Sequence, residues 1–243
     1  MKVQAITDPG LVRSSNQDYC YFTKDPIGAL PNLFIVADGM GGHNAGDYAS
    51  RFTVETFAQL VKSYDYVDTV TILMEAVTEV NRLLLEKSSQ LPELEGMGTT
   101  LVAATVEDNI LKVANVGDSR LYLIGDDICQ ITRDHSLVEE MVLRGQLDKD
   151  EARTHVNKNI ITRAIGAGSE VVPEIFSVDL DPGARILICT DGLTNMLDDV
   201  RIEHIVKSEK DVDKATMRLV NEANEAGGKD NITAMLIDPE IER

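Results

Sequence analysis

Positive charge is scarce in this chain of 243 residues. Lys and Arg total 23 against 41 Asp and Glu, a formal net charge of −18, which leaves no basic face for nucleic acid. Cysteine is scarcer: Cys20, Cys129 and Cys189 are odd in number and show neither close pairing nor zinc-type spacing. That excludes a disulfide framework and fits a reducing compartment. Cys189 lies inside an apolar run and reads as a small core residue rather than a nucleophile. Only His43, His135, His155 and His204 are present, too few to supply a histidine-rich binuclear metal site. The N-terminus lacks the apolar region of a signal peptide, and no stretch reaches the roughly 18 apolar residues of a membrane span. A soluble, cytoplasmic protein without membrane insertion is expected, and a monomer.

Three aspartates stand out against this background: Asp38 in Leu33-Phe-Ile-Val-Ala-Asp-Gly39, Asp191 in Ile186-Leu-Ile-Cys-Thr-Asp-Gly192, and Asp230 in Gly227-Gly-Lys-Asp-Asn-Ile-Thr233. A strand ending in Asp-Gly delivers a carboxylate to the sheet rim, and glycine lets the backbone turn sharply there. Repetition of that arrangement from distant parts of the chain implies that several carboxylates meet. Crowded carboxylates repel unless they share protons or hold hard cations such as Mg²⁺ or Mn²⁺. The cluster therefore reads as a metal site.

Periodicity predicts strands over 3–7, 19–23, 33–36, 99–106, 110–116, 120–124, 128–132, 174–180, 185–189 and 232–237. Helices are predicted over about 45–62, through the stripe from Ile72 to Leu84, and over 136–144, 148–155, 201–208 and 212–226. The short Asp-Asn and Gly-Asp-Asp links between the strands from 99 to 132 predict an antiparallel meander. Strands in two groups with helices inserted between and after them give an α+β layered sandwich. No repeat, low-complexity segment or linker divides residues 1–243, so one domain is expected.

Elimination narrows the chemistry. A thiolate mechanism needs a cysteine opening a loop of backbone amides that closes on an arginine, and no cysteine does so. No Gly-x-Ser-x-Gly elbow exists for a serine nucleophile. Oxygen-ligated metal remains, the natural partner of phosphate oxygens.

Eight motifs occur in order: Gly10-Leu-Val-Arg-Ser-Ser-Asn-Gln-Asp18, Val36-Ala-Asp-Gly-Met-Gly-Gly-His-Asn-Ala-Gly46, Gly98-Thr-Thr100, Ala114-Asn-Val-Gly-Asp-Ser-Arg120, Thr132-Arg-Asp-His-Ser136, Asn159-Ile-Ile-Thr-Arg-Ala-Ile-Gly166, Thr190-Asp-Gly-Leu193 and Gly227-Gly-Lys-Asp-Asn-Ile-Thr233. Together they resemble the metal-dependent serine/threonine protein phosphatases of type 2C in their compact bacterial form, from about Thr7 to Ile237. The resemblance implies a four-layer αββα sandwich, two packed antiparallel sheets flanked by helices, with the metal centre in the cleft between the sheets. It implies that Asp38 bridges two Mn²⁺ or Mg²⁺ ions, that the Gly39 carbonyl ligates the first, and that Asp191 and Asp230 complete the second. Asp118 resembles the ligand of a third, weaker site, and Asp18 a residue that holds metal-bound water. Arg13 would bind phosphoryl oxygens, its planar fork matching two of them. Two such ions would activate a shared water for in-line attack on phosphorus, with no phosphoenzyme.

Departures from the family pattern are visible. Members from higher organisms carry histidine directly after the Asp-Gly pair; Met40 stands there, and His43 follows two glycines later. His43 either reaches the same place as the acid for the leaving alkoxide or hydrogen-bonds within its own loop. Gln17 replaces a common glutamate. Ser136 reads as an N-cap for the helix beginning near Leu137, and His135 as a brace between strand ends. Residues 137–160 occupy the position of the family's flap, with Arg144, Lys149, Arg153 and Lys158 suited to protein substrates or to ordinary surface exposure. The implied activity is hydrolysis of phosphoserine and phosphothreonine in proteins, opposing a serine/threonine kinase. A catalytically silent pseudophosphatase acting as a regulatory binding module is the alternative, and it predicts loss of a metal carboxylate, which has not occurred. A small-molecule phosphate would satisfy the same phosphate site.

Overall fold

The computed structural model describes residues 1–42, 45–65, 68–148, 151–152 and 155–241. Among the described residues, eleven strands form two sheets. The first runs β1 (Lys2–Asp8), β11 (Ile232–Asp238), β10 (Arg185–Cys189), β7 (Arg120–Ile124), β8 (Ile128–Gln130). The second runs β2 (Asp18–Thr23), β3 (Leu33–Met40), β5 (Leu101–Glu107), β6 (Ile110–Val116), β9 (Glu174–Asp179), with β4 (Gly98–Thr99) beside the end of β3. Every paired strand runs antiparallel to its neighbour. Among the described residues the α-helices are α1 (Ala45–Lys62), α2 (Thr69–Gln90), α3 (Leu137–Leu143), α4 (Asp191–Thr194), α5 (Asp199–Ser208) and α6 (Val212–Glu225). None is long and apolar enough to cross a membrane.

The four layers follow from period-two alternation in strands that are apolar on both faces. In β3, Leu33, Ile35 and Ala37 pack against α1 and α2 through Phe57, Ile72, Leu73 and Val77. Phe34 and Val36, on the other face, meet Ile186, Ile188, Met235 and Ile237 of the opposite sheet. Leu187, Cys189, Ala234 and Leu236 turn outward onto Ile202, Ile205 and Leu219 of α5 and α6. An unbroken apolar run is what such doubly covered strands require, and each fully buried aliphatic or aromatic side chain contributes roughly 1.5–3 kcal/mol. Helix starts are capped: Asp68 accepts from the amides of Val70 and Thr71, Ser136 from Glu139, and Asp211 from Lys214.

Two expectations need correction. The strands from 99 to 132 do not form one meander, because β5 and β6 pair in one sheet while β7 and β8 pair in the other. The link Gly117-Asp118-Ser119 crosses between the sheets instead of closing a hairpin; Gly117 has φ +107, and its backbone lies so close to Thr100 that a Cβ would meet that side chain at 2.6 Å. The stretch read as one strand over 99–106 breaks at Thr100, whose amide donates to the Asp38 carbonyl at 2.9 Å. The helix expected over 148–155 falls partly outside the described residues.

Candidate metal centre

Strand parity sends the first carboxylates into the cleft. Asp38 shares the face of Phe34 and Val36, so it points between the sheets, and Asp18 lies directly opposite it in the β2–β3 register. Like charges so paired are destabilising unless something compensates. The backbone at Asp38 is pinned: its amide donates to Thr100 Oγ1 at 2.9 Å, and its carbonyl accepts from Thr99 Oγ1 at 2.8 Å. Gly39 follows with its amide on the Gln17 carbonyl at 3.0 Å. A Cβ there would sit 2.0 Å from the carbonyl oxygen of Gly46 in the first turn of α1, so only glycine lets helix and strand close together.

The opposite sheet supplies the rest. Thr190 ends the run of β10, and Asp191 opens α4. Thr190 Oγ1 and Thr233 Oγ1 both donate to Asp18 Oδ2, at 2.8 and 2.7 Å. Asp18 is 4% exposed, and its second oxygen, Oδ1, is buried with no hydrogen-bond partner. Asp191 Oδ2 accepts from Asn195 Nδ2 at 2.9 Å. Asp230 precedes β11; its Oδ1 accepts from the Asn231 amide at 2.9 Å, and its Oδ2 receives Arg13 Nη2 at 2.8 Å. Asn231 stitches the loop bearing Arg13 to this strand, donating to the carbonyls of Pro9 and Ser15 and accepting from the Gln17 amide.

Asp118, in the crossing link, is 8% exposed. His135 fixes that link. Its Nδ1 accepts from the Gly117 amide at 3.0 Å, and its own amide donates to the Gly117 carbonyl at 2.9 Å. An accepting Nδ1 places the ring proton on Nε2, which faces Glu174 Oε2 at 3.3 Å. Burial and Arg163 hold the imidazole below its ordinary pKa, so it stays neutral. Beside it, Arg120 grips Asp134 with Nε and Nη2 and donates Nη1 to the Tyr122 hydroxyl at 2.9 Å.

The carboxylates feel one another. Burial raises Asp18 from 3.8 to about 7, opposed by the two threonine hydroxyls and reinforced by Asp191 and Asp230. Burial and then Asp18, Asp191 and Asp118 push Asp38 well up. Asp118 reaches about 8 through burial, then Asp191 and Asp134. Asp191 is raised by burial and Asp230, with Asn195, Lys158 and Arg120 pulling the other way. Asp38 and Asp191 keep partial exposure because the cleft is open, although protein surrounds them on nearly every side. The fit to divalent cations is that of an all-oxygen donor set whose carboxylates outnumber the cations beside them and which includes a buried oxygen without a donor. Among the described residues no three Asp, Glu, His or Cys side chains already stand as a closed metal-binding group. The carboxylates lie within electrostatic reach, with Arg13 paired to Asp230. Cys20 and Cys189 are poor nucleophiles: burial lifts Cys20 to about 11 and Cys189 higher still.

The model of the protein phosphatase 2C family matches residues 12–236. The chain belongs to this family. Serine/threonine phosphatase stp of Listeria innocua is 38% identical over 245 residues, covering 98% of this chain and 96% of that protein. The crystal structure of serine/threonine phosphatase Stp1 from Staphylococcus aureus superposes with a TM-score of 0.93 at 33% identity, covering 100% of this chain and 95% of that one. The catalytic domain of phosphatase PstP, crystallised with two manganese ions, gives a TM-score of 0.84 at 35% identity, covering 97% and 96%.

Within this phosphatase 2C frame the structure brings Asp18, Asp38, Asp118, Asp191 and Asp230 into one electrostatic cluster and sets Arg13 on Asp230. His43 lies outside the described residues. Sequence reasoning gave no role to Thr190, Thr233, Asn195 or Asn231, although three of them sit within the quoted motifs or one position beyond an Asp. Their significance comes from strand parity across two sheets, which no local pattern reveals.

Proposed function

We propose that this protein hydrolyses phosphoserine and phosphothreonine in proteins at the carboxylate cleft. Two Mn²⁺ or Mg²⁺ ions would be held by Asp38, the Gly39 carbonyl, Asp191 and Asp230, and a third by Asp118. Bound there, such ions lower the pKa of water towards neutrality and offset charge on the phosphoryl oxygens. Asp18 acts through orientation: both hydroxyl donors fix Oδ2, which leaves Oδ1 to accept from a water beside the phosphorus. Arg13, half-exposed and held by a single carboxylate, turns its fork from Asp230 to two phosphoryl oxygens when substrate arrives. No protein nucleophile is required, in keeping with the protonated thiols of Cys20 and Cys189.

The observation that carries this reading is the buried, unpaired oxygen of Asp18 within a group of carboxylates from both sheets, in a chain of this family. A serine/threonine kinase must make the esters consumed here. A monomeric, cytoplasmic catalytic domain over residues 1–243, with 137–160 as a flap beside the cleft, accords with the reading. The test is turnover of a phosphothreonine peptide after chelation, after Mn²⁺ return and in Asp191→Ala. Activity should vanish, recover, and stay at background in the variant. Full turnover in chelator would refute the proposal.

A further inference from the structure

Asp191 is tied to a distant part of the chain through one amide. Asn195 Nδ2 donates to Asp191 Oδ2 at 2.9 Å, and Lys158 Nζ donates to Asn195 Oδ1 at 2.7 Å. The backbone agrees, since the Asn195 amide also donates to the Asp191 carbonyl at 2.7 Å. Lysine offers only donors and an ionised carboxylate only acceptors. An amide lying between them satisfies both in one orientation alone, oxygen towards Lys158 and nitrogen towards Asp191. Lys158 therefore rules out the flipped amide, and the bond to Oδ2 leaves Oδ1 as the oxygen to offer a cation.

The surroundings show that Lys158 has this task rather than a general one. Lys158, Asn195 and Asp191 line one cavity of about 520 Å³ that also includes Asp118, Arg120 and Arg133. Arg120 is engaged by Asp134 at 2.7 Å, and Arg133 by Glu174 at 3.3 Å. Lys158 rests instead on the neutral Asn195 amide, which it orients, and its charge also acts on Asp191 directly.

We propose that Lys158 and Asn195 are positioning residues for Asp191, so that Lys158, outside the carboxylate set, takes part in holding the metal. This rests on Asp191 being a metal ligand. Partners one bond removed from a ligand set its orientation and its basicity. Withdrawal of Lys158 would thus loosen Asp191 without touching it.

The test is Mn²⁺ binding to the full chain without substrate, read by the paramagnetic resonance signal of free Mn²⁺ and by calorimetry. Melting in chelator serves as the folding control. Asn195→Ala should weaken binding by about tenfold, and Lys158→Met by roughly two- to fivefold. Lys158→Arg should restore the wild-type isotherm. The double variant should lose less than the product of the two single losses, because part of the lysine's effect passes through the amide. An unchanged isotherm in Lys158→Met with a raised KM for phosphopeptide would overturn the proposal and assign the lysine to substrate. Additive losses in the double variant would overturn it as well. Asp191→Ala separates the two readings: if it binds Mn²⁺ like the wild type, the metal assignment itself fails. If Asp191→Ala loses binding while Asn195→Ala and Lys158→Met do not, the relay alone fails.

Discussion

Replacing Asp18 by Asn should stabilise the metal-free protein while crippling the enzyme. A carboxyl group whose titration has moved from 3.8 to about 7 costs, when ionised, on the order of 4 kcal/mol relative to the unfolded chain. Asn is nearly isosteric. Its Oδ1 can keep both threonine hydroxyls, and its amide places a donor where Asp18 has an unpaired oxygen facing other carboxylates. If relaxation and water in the open cleft absorb half of that cost, about 2 kcal/mol remains, which raises the melting temperature by roughly 4–8 °C for a chain of this size. The sign with pH follows from proton binding. Between pH 3.8 and about 7 the native state holds a proton that the unfolded chain has released, so stability falls as pH rises through that window. In chelator the wild type should therefore melt highest near the acidic end and lose stability towards pH 8, whereas Asp18→Asn should show a flatter slope. With Mn²⁺ restored, the variant should be folded yet about 10–100-fold less active. Differential scanning calorimetry across pH in chelator is the assay. A variant that melts at or below the wild type at pH 8, with the slope unchanged, would refute the electrostatic account.

Gly39→Ala should be among the most damaging single-methyl additions, because the new carbon would lie 2.0 Å from the Gly46 oxygen and 2.6 Å from the Gln17 oxygen, both backbone. A loss of about 3 kcal/mol or more in denaturant unfolding is expected, while Gly42→Ala, with nothing within 4 Å, should stay within about 0.5 kcal/mol. Arg13→Lys keeps the charge but not the fork, so KM for a phosphopeptide should rise about tenfold. Its melting temperature should barely move, since the Arg13 side chain is 55% exposed.

Much of the fold was legible because burial on both faces leaves a strong local trace. β3 reads as buried from its unbroken apolar run, and α1 begins at Ala45 and ends at Lys62 where its pattern does. β6, β7 and β10 likewise keep their expected limits. The four residues of α4 escaped notice, as one turn is too short to show a helical period. Partner choice was also hidden. Closely spaced strands normally pair with each other, yet the crossing at Gly117 hands β7 to the other sheet, where Leu121 packs in the same buried layer as Phe34 and Val36.

The site divides along the same line. Asp38 and Asp191 announce themselves because each ends an apolar run, and Asp230 because it sits in a glycine turn just before one, properties of their own neighbourhoods. Thr190 and Thr233 do not, because their role exists only across the cleft: they reach Asp18 over 172 and 215 positions of chain. Threonine inside an apolar strand reads as an ordinary β-former. What makes these two different is that parity turns them towards the opposite sheet at the level of an acid with no other donor. The consequence is physical. One sheet carries the carboxylate and the other carries the hydroxyls that aim it, so the apolar layer of Phe34, Val36, Ile186, Ile188, Met235 and Ile237 between them fixes the aim. Because close-packed interiors deform little, the spacing of the two sheets sets where Asp18 Oδ1 points, and the core and the site are one mechanical object.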